Sequence, residues 1–215
     1  MLEHHRIAEK PYTGTLIVFE GIDGSGKTTQ ANNAYEYLTR LKIPTILTCE
    51  PGGSQFGANL RKWLQSDVPA TPRLQFLGMI LDRLEHVNNV IRPKLLEGAV
   101  VLCDRFTWST IAYQSSQGIH RDIIDTMNYF STSDGCDIEP DLILLYDTEL
   151  QIARQRMKGD TRYEKMNDVF YTEVAKKYNQ LGYYWDHCQV IDGDLEKKTV
   201  WEITKKYIDK ILKLC

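Results

Sequence analysis

The chemistry written most plainly into this sequence lies in Gly21-Ile22-Asp23-Gly24-Ser25-Gly26-Lys27-Thr28, which fits the spacing G-x-x-x-x-G-K-[ST]. Glycines at these intervals let the backbone curl so that successive N–H groups point inward. A helix opening at Lys27 adds the positive end of its dipole, so the loop suits a polyphosphate such as ATP. Lys27 is placed to reach the β- and γ-phosphates and Thr28 to set its hydroxyl on a bridging magnesium ion, with Thr29 closing the cradle. The alternative is a glycine-rich connector that binds nothing. It requires chance to supply both the spacing and the strand-to-helix context.

A second constellation is Asp104-Arg105-Phe106, directly after an apolar run ending at Cys103. In a parallel sheet this puts a carboxylate and a guanidinium at the active edge beside the glycine-rich loop. Asp104 then holds hydrated magnesium or orients Lys27, and Arg105 offers a planar fork to a second phosphate. The competing reading is a surface Asp–Arg pair at a strand end.

Positioning these groups takes alternating strands and helices. Thr15–Phe19 is a short β-rich run without helical periodicity, as expected of a strand buried on both faces. Further strands are expected around 45–48, 99–103, 142–146 and 189–191. Helices are expected after Lys27, from about Thr71 to Leu96 as one long stretch, after Thr107, and from Lys197 to Leu212. The pattern predicts a three-layer α/β fold of P-loop NTPase type, with a mainly parallel five-stranded sheet flanked by helices. Residues 1–13 read as a flexible N-terminal extension, within which Leu2 to His5 has the look of a cloning remnant, and 14–215 as one domain.

Composition narrows the partners. A net charge of −3 gives no support to a protein that grips nucleic acid along its backbone. No apolar run approaches the roughly 20 residues of a membrane span, and no apolar signal stretch opens the chain. Cys49, Cys103, Cys136, Cys188 and Cys215 are odd in number and lack metal-ligand spacing, which reads as reduced thiols in a cytoplasm. A GTPase needs an NKxD-type guanine reader, which is missing, and a nucleic-acid motor is usually larger and more basic. Phosphoryl transfer to a small molecule leads.

Four segments in order carry a resemblance. Glu20 to Gln30, Glu50-Pro51-Gly-Gly53, Asp82-Arg83-Leu-Glu-His86 continuing to Val90-Ile-Arg-Pro93, and Asp104-Arg105-Phe106 through Ser109 to Ala112-Tyr113-Gln114 resemble thymidylate kinase, especially its bacterial branch. The likeness runs from about Thr15 to Ile211. It implies ATP and dTMP as substrates, magnesium as cofactor, a homodimer formed through helices that include the long one, and a mobile lid at about 149–165. Asp23 is implied near the acceptor sugar and the metal, and a carboxylate inside an anion-binding loop makes physical sense beside either. Glu50, Pro51 and Ser109 are implied in acceptor binding, Arg83 at the thymine edge and acceptor phosphate, Thr110 and Gln114 at the base, and Tyr113 under the deoxyribose. For Arg83 the alternative is an exposed helical arginine near His86; for Tyr113 it is core packing.

Three departures stand out. Met79 occupies the place of the aromatic that stacks on thymine. Cys49 replaces an arginine that often precedes Glu50-Pro51, removing one cation. Ser25 stands where some relatives carry a catalytic P-loop arginine, so the resemblance implies that a lid arginine among Arg154, Arg156 and Arg162 supplies that charge, with Arg162 favoured. Alternative readings are a kinase for another nucleoside monophosphate or a deoxynucleoside, and a non-catalytic nucleotide-binding protein. Trp185, Trp201, Tyr183 and Tyr184 read as packing.

Overall fold

A computed structural model describes residues 10, 12–66, 68–133, 137–159 and 161–214. Most of the expected N-terminal extension, including His4 and His5, lies outside the described residues, as do Cys136 and Cys215. The strands are β1 (Thr15–Glu20), β2 (Thr45–Cys49), β3 (Val100–Asp104), β4 (Leu142–Asp147) and β5 (Cys188–Asp192). They form one sheet in the order β2-β3-β1-β4-β5, every neighbouring pair parallel. Because β1 lies between β3 and β4, the chain leaves it at the point where strand order reverses, and the crevice beyond its carboxyl end is where ligands bind in such sheets.

Both faces of the sheet are covered, so its strands carry no polar alternation. Leu16 and Val18 of β1 point into one apolar layer with Val101, Cys103, Ile143 and Leu145, while Ile17 and Phe19 join Leu102, Leu144 and Tyr146 in the other. Helix α1 (Lys27–Arg40) fills the second layer with Ala31, Ala34 and Leu38, beside α9 (Lys197–Leu212). Leu38 is fully buried, and its truncation to alanine should cost about 2–5 kcal/mol.

The long helix expected over 71–96 is instead three pieces: α3 (Pro72–His86), a π-helical turn at Val87–Ile91 and α4 (Arg92–Leu96). Thr71 caps α3 by accepting from the Leu74 amide. Pro93 accounts for the break, because it lacks an N–H and its ring crowds the carbonyl four residues back, at Asn89 within the widened turn. The remaining helices are α2 (Gln55–Gln65), α5 (Thr107–Ser116), α6 (Arg121–Thr132), α7 (Leu150–Arg156) and α8 (Asp168–Tyr184). Neither α2 nor α8 was anticipated.

The reading of Tyr183 and Tyr184 as packing is corrected. They are 83% and 81% exposed, touching each other edge to face beyond Tyr178, the last buried residue of α8. Trp185 and Trp201 do pack, edge-on against Trp108 and Tyr37.

Candidate active site

The β1–α1 turn is built as its glycines require. Gly24 has φ +80°, and a Cβ there would lie 2.2 Å from the Ala153 carbonyl oxygen of α7. The turn buries Lys27, whose Nζ donates to the Ile22 carbonyl at 3.1 Å. Burial and the Arg105 guanidinium push this lysine down to about 8, against the pull of Asp23, Asp104 and Glu20. Thr28 donates its hydroxyl to Asp104 Oδ2, while Asp104 Oδ1 is buried without a hydrogen-bond partner among the described residues. A hydroxyl beside a carboxylate with a free buried oxygen is a donor set that fits a hard divalent cation.

Arg105 leaves β3 in a left-handed conformation (φ 73°), which turns its side chain back across the glycine-rich loop. Its guanidinium donates to Asp23 Oδ1 at 2.6 Å, to the Gly21 carbonyl at 3.2 Å and to Ser109 Oγ at 3.0 Å. Asp23 also accepts from the hydroxyls of Tyr113 at 2.9 Å and Tyr171 at 2.7 Å. Burial would raise this carboxyl, but Arg105, Lys27 and the two hydroxyls override it and hold it well below the usual carboxylate range. Beneath them Glu20 is fully buried and accepts from the Phe106 amide, the Ser109 amide and hydroxyl, and the Tyr178 hydroxyl. Burial raises its pKa, and these donors oppose the rise.

A second buried cluster lies under the β2–α2 loop. Arg83 is 2% exposed, which excludes the exposed-arginine alternative. It binds Glu50 Oε2 through Nε at 2.8 Å and Nη2 at 2.7 Å, Asn128 at 2.7 Å and Thr110 at 3.0 Å. His86 bridges Glu50 at 3.0 Å and Thr48 at 2.6 Å.

Between the two clusters opens a pocket of about 290 Å³. Asp23, Gly24, Lys27, Thr28 and Asp104 bound one end of it. Glu50, Pro51, Met79 and Arg83 form one side, and Arg105, Ser109, Thr110, Tyr113 and Gln114 the other. Fourteen residues nominated from sequence thus meet around one cavity. Gly21, Ile22, Ser25, Gly26 and Thr29 complete the loop without lining it.

Arg154, Arg156 and Arg162 do not line this pocket. Arg154 donates to the carbonyls of Glu164 and Met166 and to Asp168, Arg156 to the Gly193 carbonyl, and Arg162 to the carbonyls of Ser66 and Val68.

Of the pocket residues missed from sequence, two bear most on the site. Arg61 of α2 lies against the gap foreseen at Cys49, donating to the Pro51 carbonyl at 2.9 Å and contacting Cys49 Sγ at 3.4 Å. Tyr163 enters from the segment between α7 and α8. Ser54, an N-cap residue followed by Gly57, Leu60 and Leu64 on one face, was the available signal for α2 and hence for Arg61.

The thymidylate kinase family model matches residues 19–203. The chain belongs to the thymidylate kinase family. It is 34% identical over 209 residues to the thymidylate kinase of Nostoc punctiforme, covering 93% of this chain and 98% of the relative. It is 37% identical over 196 residues to that of Neorickettsia sennetsu, covering 91% and 95%. The crystal structure of thymidylate kinase from Ehrlichia chaffeensis superposes with a TM-score of 0.73 at 31% identity, covering 94% of this chain and 99% of that one. Family membership makes the chain an ATP-dependent phosphotransferase of the nucleoside monophosphate kinase class. No helix among the described residues is long and apolar enough to cross a membrane.

Proposed function

We propose that the chain transfers the γ-phosphoryl group of ATP to dTMP in the pocket between the glycine-rich loop and the Arg83 cluster. The observation that carries this reading is the meeting of two chemistries in one cavity: Lys27, Thr28 and Asp104 at one end, and Arg83, Thr110, Tyr113 and Gln114 along it. A phosphate donor fits the first and a pyrimidine nucleotide the second.

Phosphoryl transfer demands alignment and positive charge more than covalent help. Lys27 is the cation aimed at the donor phosphates. A bound polyanion favours its charged form and so opposes the lowering of its pKa by burial and Arg105. Arg105 serves as a fixed positive post between donor and acceptor. Asp23, held ionised, accepts from an acceptor-sugar hydroxyl, and the Tyr113 ring sits where it fills the space of a 2′-hydroxyl. Thr28 and Asp104 would hold magnesium, which when bound neutralises charge on the β- and γ-phosphate oxygens. Among the described residues no cluster of three or more His, Cys, Asp or Glu forms a cation cage, so most ligands of such an ion come from phosphate and water.

The protein acts as a homodimer in this reading. Leu74, Leu77 and Leu81 form an exposed stripe on α3, and α6 adjoins it with exposed Ile123 and Phe130. A monomeric mass at micromolar concentration would reject that assignment. Free thiols at Cys49, Cys103 and Cys188 support a cytoplasmic setting.

The test is a steady-state acceptor panel of dTMP, dUMP, dCMP and thymidine with ATP and magnesium. The highest kcat/KM is expected for dTMP, and Lys27→Ala should abolish most turnover with a native circular dichroism spectrum. Equal efficiency across the panel would sink the assignment of the acceptor.

A further inference from the structure

Gln114 lines the pocket, and its amide can face a ligand in two ways, offering either a hydrogen-bond acceptor or a donor. A chain of hydrogen bonds decides which. It ends at the backbone carbonyl of Ala70, which can only accept. Gln75 Nε2 donates to that carbonyl at 2.9 Å, so Gln75 Oε1 is the acceptor at its other end. The Tyr163 hydroxyl lies 2.9 Å from Gln75 Oε1 and must donate to it. Having spent its single proton there, the hydroxyl accepts from Gln114 Nε2 at 2.8 Å. A longer branch runs in the same sense, from Gln114 Nε2 to Gln117 Oε1 and from Gln117 Nε2 to Gln75 Oε1, each at 3.4 Å. Both branches leave Gln114 Oε1 without a hydrogen bond in the described structure.

We propose that Tyr163 and Gln75 are positioning residues that lock the Gln114 amide with its oxygen toward the acceptor base. The pocket thereby selects a pyrimidine carrying an N3–H over one whose N3 is a lone pair. The inference rests on reading this pocket as the acceptor-nucleotide site. Thymine and uracil present an imide N–H to such an oxygen; cytosine presents a lone pair, so two acceptors face each other and both go unpaired. Tyr163 belongs to the segment between α7 and α8, so the selection is made only while this lid segment is docked. Its ring lies edge-on to Tyr113 at 5.2 Å and stacks on Phe170 at 6.3 Å, which places the hydroxyl between Gln75 and Gln114.

The test compares binding of dTMP and 5-methyl-dCMP, which share sugar, phosphate and ring methyl and differ only at N3 and C4. Parent, Tyr163→Phe and Gln75→Leu are measured by calorimetry. Tyr163→Phe keeps the ring packing and removes the relay hydroxyl. Gln75→Leu removes the anchor of both branches, freeing the Tyr163 proton to turn toward a flipped Gln114. The parent should prefer dTMP, and that preference should fall by about tenfold or more in Gln75→Leu and by less in Tyr163→Phe, where the longer Gln117 branch remains, because rejection by a fixed hydrogen-bonding group is lost when the group can turn. A purely structural role would weaken both ligands alike and leave the ratio where it was. A ratio within about twofold of the parent's in both variants, or a parent that binds both ligands equally, overturns the relay. Reading Kd keeps this separate from the proposed transfer: a protein whose ratio responds as expected but which never phosphorylates dTMP refutes the function and upholds the relay.

Discussion

The Arg154 guanidinium lies 4.5 Å over the ring of Tyr171, and the Tyr171 hydroxyl in turn donates to Asp23. Arg154 also holds the backbone between α7 and α8 at Glu164 and Met166, so that segment and the P-loop carboxylate share one chain of contacts. Arg154→Ala should therefore loosen both. Expected results are faster protease nicking within 157–167 and an acceptor KM about tenfold higher, equivalent to about 1.4 kcal/mol. Arg154→Lys should recover little, since a point charge cannot serve two carbonyls, a carboxylate and a ring at once. Unchanged nicking and KM would show that this chain of contacts is incidental.

Arg61 lies against Cys49 and lines the pocket. If it meets the acceptor phosphate, Arg61→Ala should raise the dTMP KM by about 10–100-fold, the worth of one hydrogen bond to a charged group. Affinity for thymidine, which has no phosphate, should stay within about twofold. Equal losses for nucleotide and nucleoside would point to a general disturbance of the β2–α2 loop.

Asp82 is buried against Gly57 of α2, and the Gly52 amide is a weak hydrogen-bond partner for its carboxylate. Burial, followed by the nearby Glu50 carboxylate, pushes it up to about 7. With a folded pKa above the unfolded one, the native state binds more protons between about pH 4 and 7, so this group's contribution to stability is present below about pH 4 and is lost as pH rises through 7. Asp82→Asn mimics the neutral form. Its Tm should exceed the parent's by about 2–4 °C at pH 8, and the difference should shrink toward pH 5. A constant difference across that range would mean that Asp82 does not titrate there.

What could be read from the sequence was local or periodic. The glycine-rich loop needs eight adjacent residues, and α9 shows its whole apolar stripe within one run, so both were found where expected. The break at 87–91 escaped because apolar spacing there still looks helical, although Pro93 was in plain view. Glu20 was named only as the first residue of a family-like segment, yet it ties β1 to Tyr178, 158 residues away. No period or spacing marks such a pair; burial of a carboxylate among donors exists only after folding. Tyr113 shows the middle case. Its place on α5 was legible, whereas its hydroxyl contact with Asp23, 90 residues distant, was not. Arg154, Arg156 and Arg162 were grouped by charge and by their likeness to a family segment, and the fold gives each a different set of carbonyl partners.

Arg162 bears on where the transition-state charge originates. Its Nη2 donates to the Ser66 carbonyl at 3.0 Å and to that of Val68, and its guanidinium lies 5.9 Å over the Trp63 ring. These are two hydrogen bonds to neutral carbonyl acceptors and one ring contact on a partly exposed side chain, each worth about 1 kcal/mol. A transferring phosphoryl group offers charge-assisted, bidentate bonds of roughly twice that strength each, so its arrival can draw the arginine away. Ser25 supplies no charge from the P-loop, which leaves a vacancy for such a cation. Arg162→Ala should then lower kcat by at least about 10²-fold while raising the acceptor KM far less, as expected when an interaction made in the transition state is lost. Arg162→Lys should recover only part. Removing the Trp63 ring tests the same idea from the other side: Trp63→Ala weakens the resting contact, and kcat should hold or rise. If Arg154, Arg156 and Arg162 can each become alanine with kcat within about threefold of the parent, the charge must come from Lys27, magnesium and Arg105, and the lid's contribution is to exclude water.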